Sequence, residues 1–275
     1  MKNYFTLAAL ALLTACQAPV KEKTFVYEGN PLVRDKFTGV VLKPTDCVWG
    51  EGEAWASQVI EKDGKFYYYT TAQGTQPVYG KAVGVAVSDS PTGPFVDPIG
   101  KPLVSDDMTD NGVRGWWNDI DPTALIDQNG QAWLCWGNGT CFMAKLKPNM
   151  IELDGEIKVI DLPGYVEGPW LHYRDGIYYL TYAGMGRNFS ENIQYATATS
   201  MEGPWTPQGE LTGGAENSFT IHPAIVEYKD KWYLFYHNAT LELDGIKGAI
   251  GRRSVCFDEL NYNPDGTMQY VEQTK

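Results

Sequence analysis

Four stretches of the chain repeat one order of apolar and polar positions. Each has a short, largely apolar strand, a turn rich in Asp, Asn or Gly, and then an aromatic strand; the four cover residues 55–71, 121–136, 167–182 and 222–236. Asp, Asn and Gly tolerate the positive φ angles that tight hairpin turns need. The pattern predicts four β-hairpins, with turns at Gly64, Gly130, Gly176 and Lys231.

The spacing of these turns favours a β-propeller. A strand-only unit that recurs every roughly 50 residues matches a propeller blade better than a helical solenoid. Residues 88–95 and 200–205 both contain Gly-Pro followed by an aromatic residue, and we expect them to close the outer part of a blade. An irregular β-sandwich is the competing fold, but a sandwich does not predict repeats in register.

The amino terminus predicts export. The apolar run over residues 4–13 is too short to span a bilayer, so residues 1–15 are expected to be a signal peptide. The run ends in Leu13-Thr14-Ala15-Cys16, which resembles the bacterial lipobox; the resemblance implies cleavage before Cys16 and lipidation of its thiol. Residues 16–29 would then form the anchored tether and residues 30–275 the propeller, held at the cell envelope on the outer membrane.

Charge and cysteine content narrow the class of partner. The chain has 22 basic and 34 acidic residues and a net charge of −12, which argues against a nucleic-acid partner. The spacing of Cys47, Cys135, Cys141 and Cys256 matches no zinc site. We expect these cysteines to pack as small apolar residues, with a Cys135–Cys141 bridge as the alternative in an oxidising compartment.

One position in the repeat carries the candidate chemistry. Nine residues before the turns stand Trp55, Asp121, Glu167 and His222. The first strand of each blade lines the central channel, so these side chains are expected to converge there. Any one of them alone reads as an ordinary strand residue, but four in register favour a site. Carboxylates brought together perturb one another's pKa, as acid catalysis requires. Trp55, Trp117 and Trp170 are candidate platforms for a sugar ring.

Taken together, these motifs resemble glycoside hydrolase family 43, five-bladed propeller enzymes that include α-L-arabinofuranosidases and β-xylosidases. The resemblance covers about residues 30–271 and is carried by residues 53–60, 118–122, 166–170, 220–224 and 252–256. It implies inverting hydrolysis that releases arabinofuranosyl or xylosyl units from plant polysaccharide, namely arabinoxylan, arabinan or xylan.

The resemblance also implies roles for individual residues. Glu167 is similar to the general acid, and Asp121 to the residue that orients this acid and keeps its pKa raised. His222 resembles a channel histidine associated with a calcium ion through water; no other cofactor is expected. Either Arg252 or Arg253 resembles an arginine that contacts substrate, and only one of two adjacent strand residues can face the channel.

The chain departs from the family pattern in the first blade. Residues 30–38 resemble the start of that blade and residues 39–46 its end, so the material between them, with the aspartate that acts as general base, is missing. Asp35 is a poor substitute, and Glu51 and Glu53 are weak candidates. Without a base we expect little turnover. The alternatives are a non-catalytic carbohydrate-binding propeller and a non-functional deletion product.

Overall fold

The computed structural model describes residues 40–109, 117–186 and 189–274. The chain divides into two units, residues 1–40 and 41–275, and all of the strands lie in the second. The predicted signal peptide, the lipidation site Cys16 and Asp35 lie outside the described residues. Within the described part, no helix is long and apolar enough to cross a membrane.

The strands form four antiparallel sheets in chain order. In the first, β3 (Lys65–Gly74) pairs with β1 (Gly50–Gly52) and β2 (Ser57–Lys62) on one side and with β4 (Gly80–Ser88) on the other. The second sheet has the order β5 (Thr123–Ile126), β6 (Ala132–Trp136), β7 (Cys141–Leu146) and β8 (Leu153–Ile160).

The third and fourth sheets repeat this arrangement. The third consists of β9 (Tyr165–Arg174), β10 (Ile177–Met185), β11 (Glu191–Ala198) and β12 (Thr206–Thr212). The fourth has three strands, β13 (Ala224–Tyr228), β14 (Lys231–Asn238) and β15 (Ser254–Leu260). Each predicted hairpin is the first strand pair of one sheet.

Turn chemistry explains where the hairpins reverse. Asp63-Gly64 and Asp175-Gly176 have positive φ at both residues, with values of 53° and 74° in the first turn and 48° and 88° in the second. Two-residue hairpins need this conformation because it matches the twist of the flanking strands. Lys229 and Asp230 adopt it without a glycine, at φ 51° and 61°.

Successive sheets pack face to face, as propeller blades do. In β10, Tyr178, Leu180 and Tyr182 face the second sheet, whereas Tyr179 packs with residues of the fourth. Alternate residues of a strand point to opposite faces, so one strand serves two cores. Each fully buried Leu or Tyr of this kind stabilises the fold by about 1.5–3 kcal/mol relative to exposure. The predicted all-β propeller is confirmed, as a four-blade arrangement that lacks one blade of a five-bladed ring.

The first and fourth sheets differ from the middle pair because each has an outward face. On the first sheet, Trp49 lies flat against Gly84 and forms a small core with Cys47, Ala72 and Ala82. On the fourth, Phe235 stacks on Phe257 at 5.3 Å between ring centroids, and Val255 is 71% exposed. The fourth sheet therefore presents an apolar face to solvent.

The four described cysteines are buried thiols. The Sγ atoms of Cys135 and Cys141 lie 3.5 Å apart, whereas a disulfide requires about 2.05 Å. In this structure the two side chains therefore pack as small apolar groups rather than forming a bridge.

Candidate active site

Three consecutive sheets deliver one acidic or basic side chain each to a common point. Asp121 precedes β5 by two residues, Glu167 lies in β9, and His222 precedes β13 by two residues. One ligand atom from each residue lies within 4.8 Å of the others. The structure thus brings together three of the four residues that share the repeat position.

Asp121 is buried and held from two sides. Its backbone N–H donates to Thr71 Oγ1 at 2.9 Å, and its Oδ2 accepts the N–H of Gly168 at 3.2 Å. Its φ is 59°, in the left-handed region that residues other than glycine seldom adopt. Burial raises the pKa of Asp121 to about 6, and the negative charge of Glu167 adds to the rise while His222 opposes it. Asp121 therefore orients the backbone next to Glu167.

Glu167 has a partner on each carboxylate oxygen. Asn138 Nδ2 donates to Oε2 at 2.8 Å, and His222 Nε2 lies 2.8 Å from Oε1. Burial pushes the pKa of Glu167 up, but the hydrogen bond from His222, its positive charge and the bond from Asn138 together bring the pKa below its ordinary value. Glu167 is ionised at neutral pH in this arrangement.

The expectation that Asp121 keeps the pKa of Glu167 raised stays a prediction. The His222 imidazolium donates directly to the Glu167 carboxylate and stabilises its charged form, which opposes such a rise in the pKa of Glu167. Asp121 accepts the N–H of Gly168, the residue after Glu167, and this bond supports the predicted orienting role.

His222 is the cationic member of the group. Burial lowers its pKa, yet the hydrogen bond to Glu167 and the charges of Asp121, Glu167 and Glu191 outweigh burial and raise the pKa to about 9. Its ring lies against the Cα of Gly168, where an added Cβ would be 3.1 Å away. Any other residue would push the ring by a few tenths of an ångström and would be strained at the φ of 59° that Gly168 adopts.

The donor set bears on the expected calcium ion. Two carboxylates and an imidazole could hold a metal, but calcium prefers oxygen ligands, and a protonated imidazole has no lone pair to offer a metal or a metal-bound water. Calcium at His222 requires the ring to lose its proton first, so it stays a prediction.

A cavity of about 520 Å³ opens beside the charged group, between the first and fourth sheets. Its lining is mostly apolar, and it includes Ala56, Asp121, Trp170 and His222. Phe235 and Val255 also line it, so the outward face of the fourth sheet forms one wall, whereas Glu167 is not among the described lining residues. The indole Nε1 of Trp170 donates to the carbonyl of Ile225 at 2.9 Å, which fixes the ring along the wall. The cavity is large enough for one or two sugar rings.

The other predicted tryptophans pack together at one side. Trp55 and Trp117 make an edge contact at 5.5 Å between centroids, and Trp117 is 45% exposed. Lys81 Nζ lies 4.2 Å from the centre of the Trp55 ring. Neither Trp55 nor Trp117 is among the described residues that line the cavity. The Trp55 backbone N–H donates to the carbonyl of Thr71, whose hydroxyl accepts from Asp121.

Arg252 and Arg253 differ in which groups they interact with. The positive charge of Arg253 lowers the pKa of Asp121 and Glu167, so Arg253 acts on the charged group. Both arginines are exposed, and Arg252 donates to the carbonyl of Lys247 at 3.3 Å. Both precede β15, which begins at Ser254, so their separation arises in a loop and not from strand alternation.

The two candidate replacement bases are placed differently. Glu53 forms an ion pair with the buried ammonium group of Lys81, which also donates to Gln73. Glu51 is an exposed residue of β1. The Glu53 carboxylate is therefore occupied by its ion pair with Lys81.

Two residues of the site lie outside the repeat position. Asn138 belongs to a Gly-Asn-Gly turn whose backbone N–H groups donate to Ile120, Asn118 and Val166, beside the two carboxylates. Glu191, at the start of β11, is 7% exposed, and burial followed by the charge of Glu167 raises its pKa to about 7. The Gly-Asn-Gly turn was a visible signal for Asn138; nothing local singles out Glu191.

Comparison with known proteins identifies the family. The family profile described as Glycosyl hydrolases family 43 matches residues 19–268. The chain belongs to this family. It is 30% identical over 271 residues to a xylosidase/arabinosidase of Bacteroides ovatus, covering 85% of this chain and 78% of that protein. It is 31% identical over 251 residues to an arabinoxylan arabinofuranohydrolase of Bacillus subtilis, covering 80% of this chain and 47% of the other.

Solved family 43 structures share the fold. A GH43_1 enzyme from Xanthomonas citri superposes with a TM-score of 0.71 at 27% identity, covering 85% of this chain and 76% of that one. The structure named RS223-Beta-xylosidase gives the same TM-score, at 27% identity, covering 85% and 78%. The resemblance drawn from the motifs is confirmed.

Proposed function

We propose that this family 43 chain binds pentose units of plant polysaccharide and cleaves their glycosidic bonds slowly, with Glu167 as the acid. The observation that carries the proposal is the convergence of Asp121, Glu167 and His222 beside a cavity walled by Trp170. The names of the relatives support the substrate class, since they include a β-xylosidase, an arabinoxylan arabinofuranohydrolase and an endo-arabinanase.

The proton for the leaving group has a defined source. Glu167 is ionised while His222 is cationic, and their 2.8 Å hydrogen bond connects the two. A sugar that fills the cavity displaces water and lowers the local dielectric, which favours the neutral pair over the ion pair. The proton then moves from Nε2 of His222 to Oε1 of Glu167, and from there to the glycosidic oxygen as the bond to the anomeric carbon breaks. A water molecule forms the new bond to that carbon from the opposite face and loses its proton to solvent.

Slow turnover follows from the missing base. Inverting hydrolysis needs a second carboxylate about 6.5–9.5 Å from the acid to activate water on the opposite face of the sugar. Among the described residues that line the cavity, Asp121 is the sole carboxylate, and it is bonded to Gly168 on the acid's own side. Loss of general-base assistance typically lowers the rate by about 10²–10⁴-fold.

An activated substrate tests this assignment. Aryl α-L-arabinofuranosides and β-xylosides need little help with the leaving group, so their hydrolysis reports on the base. We expect slow release of the aryl group that azide accelerates, because azide attacks without a base. Glu167→Gln should slow the cleavage of natural oligosaccharides further. Rapid hydrolysis without azide that Glu53→Gln abolishes would show that Glu53 serves as base.

Binding is tested separately from turnover. Calorimetry with Glu167→Gln and xylo- or arabino-oligosaccharides should detect heat, because the cavity, Trp170 and Arg253 are unchanged. No heat with any pentose oligomer, from protein whose thermal unfolding is cooperative, would remove the sugar site. Heat in the absence of any turnover, with azide or without, supports the second candidate function, a non-catalytic carbohydrate-binding propeller.

The site of action is a further part of the proposal. The lipobox-like Leu13-Thr14-Ala15-Cys16 supports an exported protein anchored by lipid on Cys16. Mass spectrometry of the membrane fraction should find a mature chain that begins at acylated Cys16, and Cys16→Ala should move the protein to the soluble fraction. An unmodified terminus elsewhere contradicts the anchor.

A further inference from the structure

Glu191 makes two hydrogen bonds to the turn that carries His222. The backbone N–H of Glu191 donates to the carbonyl of Phe219 at 3.2 Å, and its carboxylate Oε2 accepts the backbone N–H of Ile221 at 3.1 Å. Glu191 therefore bonds to the backbone of this turn at two points, Phe219 and Ile221, and Ile221 is the residue before His222.

The turn has a second tie, since Thr220 Oγ1 lies 3.3 Å from Nε2 of His237 in β14, but the Glu191 carboxylate holds the residue next to His222. His222 lies outside any strand, and β13 begins only at Ala224. Ile221 is fully buried in the core between the third and fourth sheets, so a small shift of its backbone moves His222 directly. A buried backbone N–H without a partner destabilises the fold, and the Glu191 carboxylate supplies the partner of the Ile221 N–H.

The position of the His222 ring decides what Glu167 does. The ring is confined between the Cα of Gly168, where an added Cβ would lie 3.1 Å away, and the His237 ring at 6.0 Å between centroids. Within this slot, Nε2 is 2.8 Å from Glu167 Oε1 but 3.8 Å from Asp121 Oδ2. A shift of about 1 Å would be enough to change which carboxylate receives the proton.

From this geometry we infer that Glu191 is a positioning residue: its hydrogen bond to Ile221 sets His222 on Glu167 rather than on Asp121. Glu191 reaches neither the cavity nor the reacting atoms by any contact described, and it acts through His222. The inference concerns the free protein and depends on the proposed function only in its kinetic consequence.

Two conservative variants separate the hydrogen bond from the charge. Glu191→Gln keeps an oxygen that can accept from Ile221 and removes the charge. Glu191→Asp keeps the charge but is one methylene shorter, so its oxygens fall short of the Ile221 N–H. Glu210→Ala is the matched control, because Glu210 accepts from Asn192 next door on the same sheet and does not touch the turn.

The readout is the imidazole N–H proton of His222 in NMR spectra of protein labelled at histidine. A proton in a charge-assisted bond to a carboxylate resonates far downfield and exchanges slowly. The chain has three histidines, so the loss of one signal in His222→Asn assigns it. We expect the signal in the wild type, in Glu191→Gln and in Glu210→Ala, and its loss or an upfield shift in Glu191→Asp.

Each other outcome overturns the inference. A signal unchanged in both Glu191 variants means that Glu191 does not position His222. A signal kept in Glu191→Asp and lost in Glu191→Gln means that charge, not the hydrogen bond, holds the ring. If Glu191→Asp unfolds, hydrogen exchange of the Ile221 amide in the wild type tests the inference instead. An unprotected Ile221 N–H would show that its hydrogen bond to Glu191 does not form in solution.

A kinetic arm connects the inference to turnover. With azide and a xylo- or arabino-oligosaccharide, whose leaving group needs the proton from Glu167, Glu191→Asp should lower kcat about tenfold or more with little change in KM, and Glu191→Gln much less. Absence of turnover in the wild type would contradict the proposed hydrolysis but would not affect the NMR result. Failure of the proposed function can therefore be distinguished from failure of the inference about Glu191.

Discussion

The third and fourth sheets have similar strands but different surroundings. Both faces of the third sheet are buried, and β10 feeds two cores with alternate side chains. The fourth sheet buries Leu234 and Tyr236 on one face and leaves Phe235 and Val255 on the other. The sequence pattern predicts that a strand is apolar. How much each of its residues stabilises the fold depends on whether another sheet packs against that face.

The site spans this boundary. Glu167 comes from the fully packed third sheet and has a partner on each oxygen, whereas His222 comes from the turn that leads into the fourth sheet and depends on Glu191. The comparison therefore predicts a rigid acid and a histidine whose position is more easily lost.

The largest expected effect is on the shared core. Leu180→Ala should lower the free energy of unfolding by about 2–5 kcal/mol, because Leu180 is fully buried between the second and third sheets. Val255→Ala on the open face should cost less than about 0.5 kcal/mol. Urea denaturation of both variants measures the difference. Equal costs would mean that the open face is covered in solution.

A second test asks how well the outward face of the first sheet is capped. An alanine Cβ at Gly84 would lie 2.4 Å from the Trp49 ring, so Gly84→Ala must displace the indole. We expect a loss of about 1–3 kcal/mol. Gly52→Ala is the control, since an added Cβ meets nothing within 4 Å there. If thermal unfolding finds the two variants alike, Trp49 does not seal this face.

A third test uses pH. Because burial raises the pKa of Asp121 from 3.8 to about 6, the folded state binds a proton more tightly than the unfolded state. The stability from this proton is fully present below pH 4 and is lost as the pH rises through about 6. Asp121→Asn lacks this term, so its stability relative to wild type should improve by about 2–3 kcal/mol from pH 4 to pH 7. A relative stability that is constant with pH would mean that Asp121 is not desolvated.

The smallest expected effect concerns the open face itself. Val226→Thr changes a residue of β13 that is 37% exposed, and we expect a change within about 0.5 kcal/mol together with lower binding of a hydrophobic dye. Urea denaturation and the fluorescence of the bound dye measure these two quantities. A clear loss of stability in this variant would contradict a solvent-exposed face.

Much of this architecture could be predicted from the sequence. The Asp-Gly turns gave the hairpins, and their register placed Asp121, Glu167 and His222 together, since equivalent strands begin at the same end of each sheet. Trp55 shares the register, but the buried ammonium of Lys81 attracts its ring, and that contact spans 26 residues of chain. Glu191 was missed because its role depends on a bond to Ile221, in a turn 30 residues away.

The Gly-Asn-Gly turn has a consequence for how the site opens. Its three backbone N–H groups bond to Ile120, Asn118 and Val166, and its side-chain amide bonds to Glu167. Segments joined in this way exchange their amide protons as one cooperative unit. The stretch before Asp121 and the stretch before Glu167 should therefore open in the same event, with one free energy, so that the acid and its orienting carboxylate are lost or retained together.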